Sequence, residues 1–253
     1  MTTMDTAFSL RDLALGYNGK AVLETGALDL PRGKVIYVIG PSGTGKSTLL
    51  ESIGLMSDTF LRQPGREPQL WIEGERFDPH ALWSGDRSTL SAIRRERFSF
   101  IFQSTNLMPN FTIGENIRIA AHGAENMDVS TGGLDERIHG LLDEMNLPKG
   151  ILDKAAHEVS GGQKQRIAFI RALVKDFSIL LADEPTGNLD PQNSVALFRV
   201  LKHQLAARQR TAVIVTHHLD LAQEFGDLIL RIEPPADGDG PARVTVEKTG
   251  NNA

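Results

Sequence analysis

The residues best suited to chemistry lie in one glycine-rich stretch, Gly40-Pro41-Ser42-Gly43-Thr44-Gly45-Lys46-Ser47-Thr48. It matches the pattern G-x-x-x-x-G-K-[ST]. Glycines let the backbone curl until successive amides point inward at phosphate oxygens. The helix expected from Lys46 presents its N-terminus, where free N–H groups and the helix dipole favour an anion. In this pattern Lys46 reaches the β- and γ-phosphates and the Ser47 hydroxyl ligates Mg²⁺. Both ATP and Mg²⁺ are therefore expected ligands. A tight glycine turn that binds nothing is the bland alternative. The strand expected before the loop and the helix after it argue against that.

A second stretch, Ile179-Leu180-Leu181-Ala182-Asp183-Glu184, is an apolar strand that ends in two acids. Ligands of α/β sheets sit at such carboxyl ends. Asp183 suits a metal, held through water, and Glu184 a water that attacks phosphorus. Phosphoryl transfer asks for little more than positioning and charge stabilisation. By itself Asp-Glu-Pro reads equally well as a solvated acidic turn; the phosphate loop tips the balance.

Val159-Ser160-Gly161-Gly162-Gln163 opens a third stretch of interest. Ser160 can cap a helix, and the glycines leave its first amides open to an anion. Alone, it reads as a simple capped helix. As a second anion site it makes sense if this surface closes over a nucleotide held by another copy.

Alternating strands and helices must position these groups. Val35–Ile39 reads as a core strand ahead of the loop, followed by a helix from Lys46 to about Met56. Phe8, Leu10, Leu13 and Leu15 suggest one early strand and Val22 to Leu30 another, closed by Pro31-Arg32-Gly33. Further strands are expected at Gln69–Glu73, Phe98–Phe102, Ser178–Ala182, Thr211–Val215 and Leu228–Ile232. Helices are expected at Asp86–Glu96, Gly161–Val174, Pro191–Ala207 and Leu219–Phe225. From Ile113 to Leu147 the period is helical, with Leu134, Ile138, Leu141, Leu142 and Met145 on one face. That block reads as a helical insert, about 104–160, in a domain of 6–232. The tail, 233–253, is rich in Pro, Gly, Asp and Asn; Val244 to Val246 could pair briefly before a mobile end. The whole is expected to be α/β with a mostly parallel sheet covered on both faces.

The 253 residues, 40% hydrophobic and 23% charged, suit one large domain with an insert. A net charge of -5 gives no reason to expect a nucleic-acid partner. Without cysteine, disulfides and thiol chemistry are excluded. Met1 to Ser9 lacks a secretion signal, and no apolar run approaches a membrane span. The chain is expected to be soluble by itself and to meet a membrane only through a partner.

With these motifs in this order, the chain resembles the ATP-binding-cassette (ABC) ATPases from about Phe8 to Ile232. The resemblance implies a P-loop NTPase fold: a core sheet, an N-terminal antiparallel β subdomain and an inserted α-helical subdomain. Ser160-Gly161-Gly162-Gln163 resembles the family's signature sequence, although Val159 stands where Leu is usual. Tyr17 matches an aromatic that stacks on adenine. Gln103 matches a glutamine that ligates Mg²⁺ and senses the membrane partner, Asn188-Leu189-Asp190 a loop crossing the dimer interface, and His217 a histidine that contacts the γ-phosphate. Two copies are then expected to sandwich two Mg·ATP.

Phe102 to Pro109, Thr112, Glu115-Asn116 and Asp183 to Asp190 are similar to the lipoprotein-releasing and macrolide-efflux branch. That implies a separate permease and a peripheral place on the cytoplasmic face of a bacterial inner membrane. The stretches Ser57–Gln69 and Phe77–Ser91, with Trp71 and Trp83, are longer than that branch leads one to expect. An importer's ATPase is the alternative, and a soluble ABC ATPase acting on ribosomes or DNA a more distant one.

Overall fold

The computed structural model describes residues 5–121, 131–187, 189–235 and 240–249. The chain opens with strands β1 (Thr6–Arg11), β2 (Ala14–Tyr17), β3 (Lys20–Glu24), β4 (Ala27–Pro31) and β5 (Val35–Ile39), then helix α1 (Lys46–Ile53). β6 (Gln69–Ile72), β7 (Glu75–Phe77), α2 (Pro79–Ser84), α3 (Arg87–Arg97) and β8 (Phe98–Ile101) come next. Helices α4 (Ile113–Ala121), α5 (Thr131–Glu144) and α6 (Gly161–Val174) follow without an intervening strand. The chain then alternates through β9 (Ile179–Asp183), α7 (Pro191–Ala206), β10 (Thr211–Val215), α8 (Leu219–Phe225), β11 (Leu228–Glu233) and β12 (Ala242–Lys248).

Two sheets result. An antiparallel sheet has the order β4-β1-β6-β7, and a larger mixed sheet the order β2-β3-β12-β11-β5-β10-β9-β8. Strands β11, β5, β10, β9 and β8 run parallel, with α1, α6, α7 and α8 supplying crossovers. All five residues of β5 are buried, as a strand covered on both faces requires. The two-residue period divides them between two cores. Val35, Tyr37 and Ile39 join the helical insert, α7 and α8, while Ile36 and Val38 pack with α1 and the antiparallel sheet. In the helical block the expected face holds: Leu134, Ile138, Leu141, Leu142 and Met145 are all buried. Residues 122–130 of that block lie outside the described residues, as do Met1–Met4 and Asn188.

Three expectations need correction. The early strand through Phe8 and Leu15 is two strands in different sheets, broken where Asp12 takes a φ of 53°. Val22–Leu30 is likewise two strands, broken at Gly26 with φ 59°. Each break lets the chain cross between sheets, and alternation continuing through it conceals the change. The 233–253 tail is not merely an appendage. β12 pairs along all of β11, from Leu228↔Lys248 to Glu233↔Arg243, so the large sheet runs past residue 232. Arg231 grips Glu247 with Nε at 2.7 Å and Nη2 at 3.0 Å. The brief pairing expected at Val244 to Val246 is part of this ladder; half-exposed strand residues gave too weak an apolar signal for its full length to be read.

In the long 57–96 region, Trp71 lies between the guanidiniums of Arg11 and Arg76, at 5.9 and 5.7 Å from its ring centroid. Trp83 packs on the core that contains α1. Phe60 forms a bridge to Leu15, and the Gly16 N–H donates to the Thr59 carbonyl at 2.8 Å. The segment after α1 thus covers the open edge of β2.

Candidate nucleotide site

The carboxyl ends of β5, β9 and β10, with β2 and β3 on one side and the loop after β8 on the other, enclose a cleft of about 430 Å³. Its walls include Tyr17, Lys46, Gln103, Asp183, Glu184 and His217, together with Ser42, Gly43, Gly45, Ser47 and Thr48. Residues separated by up to 200 positions in the chain meet here because parallel strands bring their carboxyl ends to one edge.

The floor is the glycine loop. Gly40 has φ 155°, and a Cβ there would sit 2.4 Å from the Ile232 carbonyl oxygen, so no side chain fits beside β11. Gly45, at φ 96°, is the residue before α1 and offers no side-chain cap. The first amides of α1 therefore lack a side-chain acceptor, and an anion in the cleft can supply one. Thr44 fixes the turn by donating to the Pro41 carbonyl at 2.9 Å.

Lys46 is 7% exposed, and its Nζ donates to the carbonyls of Gly40 and Pro41 at 2.9 and 2.8 Å. An ammonium has three donors, so one remains for a ligand. Burial lowers the Lys46 pKa, against the pull of Glu184 and Asp183. Gly40, Pro41 and Thr44 shape the loop without lining the cleft.

Above this floor stand the acids. Burial raises the Asp183 pKa, and a hydrogen bond from Ser47 works in the opposite direction. Hydroxyl and carboxylate together offer hard oxygen donors of the kind Mg²⁺ prefers, and Gln103 lies on the same cleft wall. Free helix amides, one free ammonium donor and paired oxygen ligands fit a polyphosphate with its divalent cation.

Glu184 adopts φ 46°, rare for a residue with a side chain and costing about 1–2 kcal/mol. Its N–H donates to the Val215 carbonyl at 3.0 Å, tying the end of β9 to that of β10. The turn aims its carboxylate across the cleft at His217, whose Nε2 lies 3.1 Å from Oε1 and whose backbone N–H reaches Oε2 at 3.4 Å. Burial raises the Glu184 pKa, partly offset by His217. A carboxylate so placed, with elevated basicity, can accept a proton from water.

Two predicted groups stand elsewhere. Ser160, Gly161, Gly162 and Gln163 do not line the cleft. Ser160 and Gln163 form a reciprocal cap: the Gln163 N–H donates to Ser160 Oγ at 3.3 Å, and the Ser160 N–H to Gln163 Oε1 at 2.9 Å. Asp190 caps α7 by accepting the Asn193 N–H at 2.9 Å and also lies off the cleft.

Sequence reasoning missed Val22 and Val215 in the cleft wall, and Glu51 behind it. Glu51 accepts hydrogen bonds from Ser57 at 2.8 Å and from the Tyr17 hydroxyl at 3.4 Å. No local pattern marks Glu51, because α1 alone would show only a polar residue on its outer face.

Known proteins share this arrangement. The family model described as ABC transporter matches residues 23–187. The lipoprotein-releasing system ATP-binding protein LolD of Roseobacter denitrificans is 40% identical over 210 residues, 81% of this chain and 84% of that one. The macrolide export ATP-binding/permease protein MacB of Bdellovibrio bacteriovorus is 35% identical over 211 residues, 82% of this chain but 29% of its own length. The dimeric cassette MJ0796, solved in a post-hydrolysis state bound to ADP and Pi, superposes with a TM-score of 0.79 at 28% identity, covering 96% of this chain and 98% of that one. A match spanning more than half of the chain, over a cleft built for a polyphosphate, shows that the protein belongs to the ABC transporter family as an ATP-hydrolysing cassette.

Proposed function

We propose that the chain is the ATPase subunit that drives a separate membrane permease of the lipoprotein-releasing or efflux type, docked at the cytoplasmic face of a bacterial inner membrane. The reading is carried by the relatives this chain resembles. LolD proteins of Roseobacter denitrificans and Jannaschia sp. are 40% and 38% identical over 81% and 88% of this chain, and MacB of Bdellovibrio bacteriovorus is 35% identical over 82%. No helix among the described residues is long and apolar enough to cross a membrane.

In this reading Lys46 and the amides of the glycine loop hold the β- and γ-phosphates, and Tyr17 stacks on adenine. Ser47, Gln103 and Asp183 hold Mg²⁺, which when bound neutralises charge developing on the phosphates. Glu184 accepts the proton of the attacking water, and His217 orients the γ-phosphate. Ser160, Gly161, Gly162 and Gln163 of a second copy, with Asp190 at the interface, complete the site from outside; the dimeric MJ0796 cassette supports this pairing. ATP can do work here only by binding the closed pair more tightly than the open one.

The test is to isolate membranes containing tagged Glu184→Gln protein in the presence of ATP. A copurifying permease with few membrane helices and a large periplasmic domain is the expected result. A many-helix permease with a solute-binding protein would make it an importer subunit instead, and ribosomes or nucleic acid without membrane protein would overturn the transport role.

A further inference from the structure

Gln103 stands on a bridge of three residues. On one side β8 ends at Ile101. On the other, the guanidinium of Arg171 closes on two consecutive carbonyls, Nη2 donating to Thr105 and Nη1 to Asn106, both at 2.8 Å. Asn106 needs such a hold, because its φ of 46° is left-handed for a residue with a side chain. Its carboxamide oxygen also accepts from Ser104 Oγ at 2.8 Å. Further along, the fully buried Asn116 accepts the Met108 N–H at 2.7 Å and donates to the Thr112 carbonyl at 2.9 Å. The loop after β8 is therefore pinned twice before α4 begins, and the nearer pin comes only two residues past Gln103.

Arg171 lies outside the nucleotide cleft. It sits on α6, whose backbone is bound to β8 next door by the Ser99 hydroxyl, a donor to the Ala172 carbonyl at 2.8 Å. Burial lowers the Arg171 pKa, and its planar fork is used on the two carbonyls.

We infer that Arg171 is a positioning residue for Gln103: by holding the Thr105 and Asn106 carbonyls, it fixes how far the Gln103 side chain reaches toward the metal. The same helix begins with Ser160-Gly161-Gly162-Gln163, so the placement of Gln103 is tied to the helix expected to face the other copy's nucleotide. The inference rests on the reading of Gln103 as a metal ligand.

Arg171→Met, Arg171→Lys, Gln103→Ala and the double variant Arg171→Met/Gln103→Ala test it on a Glu184→Gln background. Binding of TNP-ATP is measured in Mg²⁺ and in EDTA, with hydrogen exchange of the 103–106 amides in the nucleotide-free protein. Losing an outer partner of a metal ligand should cut the Mg²⁺-dependent gain in affinity about 10-fold. Affinity in EDTA should be unchanged and the 103–106 amides should exchange faster. Arg171→Lys should restore little, since its donors share one nitrogen on a flexible stem and lack the rigid fork by which Nη1 and Nη2 each reach a carbonyl; it also serves if Arg171→Met does not fold. The double variant should be no worse than Gln103→Ala. Additive losses, or an unchanged Mg²⁺ dependence with unchanged exchange in either Arg171 variant, would overturn the inference. Faster exchange with no Mg²⁺ effect from Gln103→Ala would instead overturn the metal role of Gln103.

Discussion

Two helix starts in this protein look alike in sequence and differ in kind. α1 follows Gly43-Thr44-Gly45, and α6 begins with Ser160-Gly161-Gly162. The start of α1 has no side-chain cap and opens into a cleft walled by acids, an ammonium and an aromatic ring. The start of α6 is capped by its own Ser160 and Gln163, and a Cβ added to Gly161 would meet nothing within 4 Å. The first is a helix end that an anion in the cleft can complete. The second is a stable helix end with two glycine amides that lie off the cleft. It can contribute to binding only when another surface brings the ligand.

That contrast makes distinct predictions. Glu184→Gln, within the complete cleft, should lower turnover by roughly 10²–10⁴-fold, as loss of a general base does; steady-state phosphate release measures it. Lys46→Met removes a charge-assisted donor and should weaken ATP binding to an isolated subunit about 100-fold by equilibrium titration. Gly161→Glu should do the reverse. It should leave single-subunit ATP affinity within about twofold, yet reduce turnover about 10- to 100-fold by placing a carboxylate where phosphate would approach. Equal loss of ATP affinity in both variants would erase the distinction between the two helix starts.

Smaller effects sharpen it further. Glu184 must be ionised to accept a proton, and its pKa is raised by burial. Turnover should fall as pH drops through a value above glutamate's ordinary pKa, and that is read from a kcat–pH profile. The linkage has the opposite consequence for stability. The native state holds this proton to higher pH than the unfolded chain, so ionised Glu184 is destabilising near neutrality. Nucleotide-free Glu184→Gln should melt higher than the parent at pH 7, and the difference should vanish at pH values acidic enough to protonate Glu184 in both states. Ser160→Ala should cost about 1 kcal/mol of stability through the lost cap. Chemical denaturation measures that loss, which should appear without any change in single-subunit ATP affinity.

Much of this molecule was written locally. Val35–Ile39, Gly161–Val174, Thr211–Val215 and Leu219–Phe225 fold over the residues that their periodicity marks, because each buries a continuous apolar face. The glycine loop was likewise plain, since its chemistry depends on residues adjacent in sequence, and it tipped the reading of the Asp183-Glu184 strand end. Where the chain changes sheets, at Asp12 and Gly26, apolar alternation runs on and hides the crossing. β12 was legible only as a brief pairing at Val244 to Val246, because pairing with β11, more than its own composition, makes it a strand.

Tertiary structure alone decided which groups share a space. Only the parallel order β11-β5-β10-β9-β8 brings His217 to Glu184 and sets Gln103 on the wall that holds Asp183. It also raises the two acids' pKa values, since burial depends on what the rest of the chain places around them. The Arg171 fork on the Thr105 and Asn106 carbonyls is of the same kind. Sequence specifies a motif when its atoms are neighbours along the backbone. Hydrogen bonds and desolvation between residues some 65 positions apart exist only once the sheet has fixed their distance.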